Sequence, residues 1–256
     1  MIAHPLVALE FLTRLRVRRT PIGDMQRVAR AQLWFPAVGL LIGVALLGVD
    51  RAAMRALPQP TVDVLIVVAL IAVTGALHLD GLADAADGLF GGYTPERRLE
   101  VMRDVHAGTY AIVAIVSVLA LKWAGLASLP PGVRLEAIVL TPCLARFAML
   151  VAIAAFPYAR AEGAGAAFRD ALRPAQLVVA AATAIVAAVV LFGAGGLYVA
   201  AFAALIALAF GAFATRLAGG MTGDLYGATV EISEALLLLF VAAMANRGWL
   251  DAWALA

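Results

Sequence analysis

The chain has 256 residues, of which 64% are apolar (AVILMFWYC) and 14% charged, with a formal net charge of +2. Soluble domains carry about 45–50% apolar and about 25% charged residues, so the polar residues here are too few to cover a water-soluble body of this size. A soluble enzyme, a nucleic-acid binder and a disordered chain are excluded, which leaves an all-α, polytopic membrane protein.

The first element, Ile2–Val17, is too short and too charged to span a bilayer. With Leu6, Leu9, Phe11 and Leu12 beside Arg14 and Arg16, it suits a helix lying on the membrane surface. Its positive charges follow the apolar stretch, the reverse of a cleaved signal peptide. Apolar runs long enough to cross lie at 32–50, 62–79, 108–129, 135–156, 175–193, 195–213 and 231–245. The fifth and sixth are parted only by the Gly193–Gly196 turn, and the seventh is short and opens on acids.

Lys and Arg residues in the connections fall alternately. Thirteen lie on the side of the N-terminus, among them Arg97, Arg98, Arg103, Arg160, Arg169 and Arg173, against four on the other side, Arg51, Arg55, Arg134 and Arg247. Lys122 and Arg146 fall inside spans. By the positive-inside rule this predicts seven spans, with the N-terminus cytoplasmic and the C-terminus outside. No insertion or repeat divides the chain, so residues 1–256 read as one membrane-embedded catalytic domain. The one cysteine, Cys143, excludes an internal disulfide and a cysteine-rich metal site.

Two acidic clusters carry the chemistry. In His78-Leu79-Asp80-Gly81-Leu82-Ala83-Asp84-Ala85-Ala86-Asp87 the three aspartates stand at i, i+4 and i+7, one stripe of a helix. Like charges at that spacing repel unless a cation sits among them, and three carboxylates without cysteine suit Mg²⁺ ahead of Zn²⁺. The plain alternative is a solvated helix end, which the neighbouring Leu, Ala and Gly residues argue against. The second cluster is Gly219-Gly220-Met221-Thr222-Gly223-Asp224, followed by Glu231 and Glu234. Asp224, Glu231 and Glu234 share one face if the helix is continuous. Gly220, Thr222 and Gly223 form a loop able to bring backbone N–H groups to an anion. Two acidic faces on one side of the membrane can hold metal with a pyrophosphate over it.

Arg103 and Asp104 before the third span, Arg146 within the fourth and Arg160 after it are candidates for binding substrate phosphate. An intramembrane arginine faces a partner or a cavity, so the structural alternative for Arg146 is an ion pair with one of the acids. Lys122 has the same alternative. His78 is a candidate for orienting a carboxylate or moving a proton, or else caps the span. His106 is ambiguous, His4 reads as surface, and Trp34, Trp249 and Trp253 read as interfacial anchors.

The chain resembles the cobalamin synthase (adenosylcobinamide-GDP ribazoletransferase) family over nearly its whole length. The resemblance rests on Phe11-Leu12-Thr13-Arg14, the His78–Asp84 motif with Asp87, Met102-Arg103-Asp104 with Gly108-Thr109, Arg160 with Glu162-Gly163, and Gly219-Gly220 with Thr222-Gly223-Asp224. It departs where the family often has Ser-Arg and this chain has Val105-His106. The resemblance implies a Mg²⁺-dependent phosphotransfer on the cytoplasmic side of the bacterial inner membrane. The partners it implies are adenosylcobinamide-GDP, α-ribazole or its 5′-phosphate, and the lipid bilayer; a homo-oligomer stays open. Asp80, Asp84, Asp87 and Asp224 would hold metal, with Glu231 and Glu234 beside them, and Asp87 would double as base. Two rival functions are a CDP-alcohol phosphotransferase, which wants Ala-Arg where this chain has Ala83-Asp84, and a cation- or proton-coupled transporter.

Overall fold

The structure, a computed structural model, describes residues 5–17, 25–160 and 163–250. His4, Arg18, Arg19, Glu162 and Trp253 lie outside those residues. The described chain is helical, with one isolated bridge between Tyr158 and Met221.

α1 (Pro5–Leu12) ends five residues earlier than the surface helix expected over Ile2–Val17, whose first three residues lie outside those described, and it is more than a surface float. Val7, Ala8 and Leu12 are buried, and the Phe11 ring lies 5.9 Å from Phe35 and 5.5 Å from Phe168. α2 (Met25–Ala31) passes through a 3₁₀ turn at Gln32–Trp34 into α3 (Phe35–Ala53), giving a 29-residue apolar rod.

α4 (Gln59–Thr74) begins behind Pro58, and Gly75 and Ala76 end it with left-handed backbone at φ +63° and +59°. A left-handed residue cannot continue a right-handed helix, and the chain turns by 92° into α5 (Leu77–Gly91). The second expected span, 62–79, is therefore broken, with its last residues already on α5. The hydropathy of the run hid the break because Gly75 and Ala76 are themselves apolar.

α6 (Pro95–Val101) is capped by the Thr94 side chain, which accepts from the Arg97 amide. α7 (Thr109–Ala127) leads to α8 (Pro131–Ala155), whose most apolar stretch is 89% buried inside the protein. α9 (Ala164–Ala171) precedes α10 (Pro174–Phe192), α11 (Gly195–Ala218) and α12 (Gly223–Asn246). The last helix starts at Gly223, not at 231. The polar residues ahead of 231 are taken up by the bundle: Asp224 pairs with Arg160, and the buried Thr229 hydroxyl donates to the Leu225 carbonyl at 2.8 Å. Among the described residues six helical segments are long and apolar enough to cross a membrane, or seven if α4 and α5 form one broken span.

The buried α8 lies at the centre, against α3, α10, α11 and α12. At its α3 contact, a methyl on Gly39 or Gly43 would collide with the backbone carbonyl of Pro142 or Val139. Small residues allow this approach, and in lipid close packing replaces the hydrophobic drive that joins helices in water. The outer faces of α7 and α10 carry exposed Ile112, Val113, Val116, Val178, Val186 and Val190, as a lipid-facing surface should.

Arg134, counted above as a connection residue, stands inside α8 and is 4% exposed. It pairs with Asp50 at 2.8 Å and Asp63 at 2.6 Å, tying α3, α4 and α8 together.

Candidate functional site

The connections at the opposite end from Arg134 interlock. Ala159 N donates to Met221 O and Met221 N to Pro157 O, both at 2.8 Å, fastening residues 157–159 to 220–221. Arg98 donates to the Leu89 and Leu217 carbonyls at 3.1 and 2.9 Å, holding α6 across the ends of α5 and α11. In the sequence Arg98 stands out only as a topological charge. Two C-terminal carbonyls lacking helical partners attract such a donor, but nothing local marks them in the sequence.

Against this platform α5 crosses the first turns of α12. Gly81 faces the Asp224 backbone so closely that a Cβ would lie 2.9 Å from Asp224 O, and Gly227 meets the His78 backbone from the other side. The two acidic motifs therefore meet. Asp84 lies within electrostatic reach of Asp80, Asp87 and Asp224, with Arg160 offsetting their charge. Asp80 is exposed, while Asp84 and Asp224 are half-buried. Arg160 donates to Asp224 Oδ2 at 3.0 Å, and so does the Thr222 hydroxyl, at 3.2 Å.

Several expected site residues have other work. Asp87 accepts from the backbone N–H of Gly108 at 2.6 Å and Ala111 at 2.9 Å, so it caps α7 where a base or metal ligand was expected. Free amides at a helix start attract a carboxylate. Thr222 is fully buried and caps α12 by accepting from Leu225 N at 3.2 Å. Gly220 is pressed against Pro157 and Ala159, where a Cβ would lie 2.7 Å from Pro157 O; packing, not an anion, explains it. Gly223, by contrast, is exposed at the α12 N-terminus with open space beside it.

Glu231 and Glu234 do lie on the continuous α12, but they face cations instead of a metal position. Lys122 donates to Glu231 at 2.7 Å and Glu234 at 2.5 Å, and Arg146 pairs with Glu234. All four side chains are buried. Two cations and two carboxylates balance, which is what makes burial of each tolerable. The structural alternative for Arg146 and Lys122 is thus the one realised. His78 is 3% exposed beside this cluster, and its Nδ1 has no hydrogen-bond partner among the described residues.

Arg103 and Asp104 are exposed on the α6–α7 connection, next to Met102, whose sulfur lies 3.9 Å from the Thr222 hydroxyl. His106 Nδ1 lies 2.8 Å from Asp104, and this hydrogen bond holds the Asp104 carboxyl below the usual range. Asp104 is accordingly occupied by its neighbour at 106.

Among the described residues no three Asp, Glu, His or Cys side chains form a ready-made metal cage. Magnesium keeps several waters and is held by one or two carboxylates together with substrate phosphates. Asp80, Asp84 and Asp224 are hard oxygen donors of that kind.

The model of the family described as cobalamin-5-phosphate synthase matches residues 4–242. The chain belongs to this family. Relatives named adenosylcobinamide-GDP ribazoletransferase include one from Ectopseudomonas mendocina, 40% identical over 93% of this chain and 98% of its own length. Another, from Roseiflexus sp., is 38% identical over 90% of this chain and 86% of its own. A third, from Pseudomonas paraeruginosa, is 40% identical over 93% and 96%. No solved structure matches. Membership in the cobalamin-5-phosphate synthase family disfavours both the CDP-alcohol phosphotransferase and the transporter, and no observation in the fold revives either.

Proposed function

We propose that the chain closes the nucleotide loop of cobalamin, joining the adenosylcobinamide phosphate of adenosylcobinamide-GDP to α-ribazole or its 5′-phosphate with release of GMP. Family membership and the printed names of the relatives support the reaction. The observation that carries the site is the meeting of Asp80 and Asp84 on α5 with Asp224 and Arg160 at the α12 start. A pyrophosphate needs positive charge on its oxygens, and an alcohol nucleophile needs somewhere to lose a proton.

In this reading Asp80, Asp84 and Asp224 hold Mg²⁺, which neutralises pyrophosphate charge when bound. Arg160, anchored by Asp224, offers its remaining guanidinium nitrogens to phosphate oxygens. A ribose hydroxyl oxygen bonds to the phosphorus nearer the corrinoid as the bond from that phosphorus to the bridging oxygen breaks. The hydroxyl proton passes to a carboxylate of the Asp80–Asp84 pair, and GMP leaves. The basic residues of the connections support a cytoplasmic position for this end of the bundle, in a protein of the bacterial inner membrane. The testing experiment is GMP release from adenosylcobinamide-GDP by the purified protein, with and without α-ribazole. Release that depends on α-ribazole supports the reading; CMP release from a CDP-alcohol would replace it.

A further inference from the structure

Beside the acidic site lies a cavity of about 230 Å³ between α1, α5, α8, α9 and the start of α12. Phe11, Met149, Ile153 and Phe168 supply apolar walls, and Asp80, Gly223 and Asp224 form its border with the site. His78 and Tyr226 also line it, each 3% exposed. His78 Nδ1 and the Tyr226 hydroxyl are buried without any hydrogen-bond partner among the described residues. Native proteins rarely leave such groups unmatched, because an unpaired buried polar atom forfeits its hydration. Two of them on one small cavity point to a ligand that supplies the missing partners.

The chemistry of the walls selects the ligand. Among the described residues no lysine or arginine lines the cavity, which suits an uncharged ligand better than a pyrophosphate. Its volume falls below the range of about 300–1,000 Å³ that takes drug-sized molecules, so a corrin ring cannot enter. A flat, uncharged ring system with apolar faces and one or two edge nitrogens satisfies every wall. Resting on the reading above that α-ribazole is the acceptor, we propose that this cavity binds the nitrogen-heterocyclic base of that nucleoside, with the Tyr226 hydroxyl and His78 meeting its edge. The ribose then emerges at Asp80 and Asp224, where its hydroxyl must be delivered. Guanine from the donor is the competing occupant, but its amino and carbonyl edge asks for more partners than two groups provide.

The test uses the full chain in detergent. Tyr226→Phe keeps the ring and removes the hydroxyl. It should raise KM for α-ribazole about tenfold, the scale of one lost hydrogen bond, and leave KM for adenosylcobinamide-GDP within about twofold. Because a buried substitution can disturb folding, thermal stability is followed in parallel with a second variant, Gly223→Leu. A side chain there enters open space at the cavity border, and should abolish equilibrium binding of α-ribazole measured without the corrinoid while stability holds. If wild-type GMP release ignores α-ribazole, the proposed reaction itself falls. If wild type turns over normally and both variants bind α-ribazole as it does, the cavity assignment alone is overturned. A rise confined to the KM for adenosylcobinamide-GDP would hand the cavity to guanine and overturn it equally.

Discussion

Arg160 donates to Asp224 across 3.0 Å, joining the connection before α9 to the first turn of α12, with the two side chains 13% and 24% exposed. A pair so placed at a water-accessible end adds little to stability, about 0–1 kcal/mol. Its value is positional, since it fixes a guanidinium beside a carboxylate that faces Asp80 and Asp84. Asp224→Asn should therefore lower kcat/KM by about a hundredfold or more with little change in thermal midpoint. GMP release and thermal unfolding in one detergent check this. A variant that keeps wild-type activity removes Asp224 from the site.

Chelation should abolish turnover and added Mg²⁺ should restore it. Asp84→Asn keeps shape and removes one charge from the cluster, so it should raise the Mg²⁺ concentration needed for half-maximal activity about tenfold or more. Titration of activity against Mg²⁺ gives the comparison. Full activity in excess chelator ends the metal reading.

Glu234 stands between Lys122 and Arg146 with all three buried. Glu234→Gln leaves an uncompensated positive charge inside the bundle, and should destabilise the protein by about 3–5 kcal/mol. Adding Lys122→Met to that variant restores neutrality and should recover part of the loss. Arg146→Lys keeps the charge and should unfold near wild type, with an unchanged KM for adenosylcobinamide-GDP. A raised KM at unchanged stability would return Arg146 to the substrate.

Topology follows from exposed positions. With Cys143 replaced, single cysteines at Tyr93 and Val105, 93% and 92% exposed, should react with impermeant reagent from the cytoplasm. One at Trp249, 62% exposed, should react from outside. Labelling of Tyr93 and Trp249 positions from the same side contradicts an odd number of crossings.

Helices of one apolar character over about 20 residues, such as α8, α10 and α11, are legible in sequence because lipid imposes their length and composition. The meeting of α5 with α12 was legible only as shared chemistry, two acidic motifs that make sense together. What stayed hidden depends on partners far along the chain. Asp87 reads like Asp80 and Asp84 in its motif, yet the amides that occupy it come from Gly108 and Ala111. Glu231 and Glu234 look like further ligands until Lys122, 109 and 112 residues away, is brought between them. Gly220 looks like a phosphate turn until Pro157 is found against it.

The short stretch of α8 from Val139 to Arg146 is touched on one side by the α3 glycines and on the other by α12 through Glu234. Arg146 also donates to the Pro142 carbonyl, the one that a methyl on Gly39 would strike. Packed on α3 along one side and on α12 along the other, α8 is the spacer between them, so the separation of α3 from α8 bears on where α12 sits. Since α12 carries Asp224 at its first turn, a one-carbon change at Gly39, deep among apolar helices, would displace the acid that holds Arg160. The reacting end is gauged from the lipid-buried middle, so a harmless-looking alanine there belongs among the mutations that silence the site.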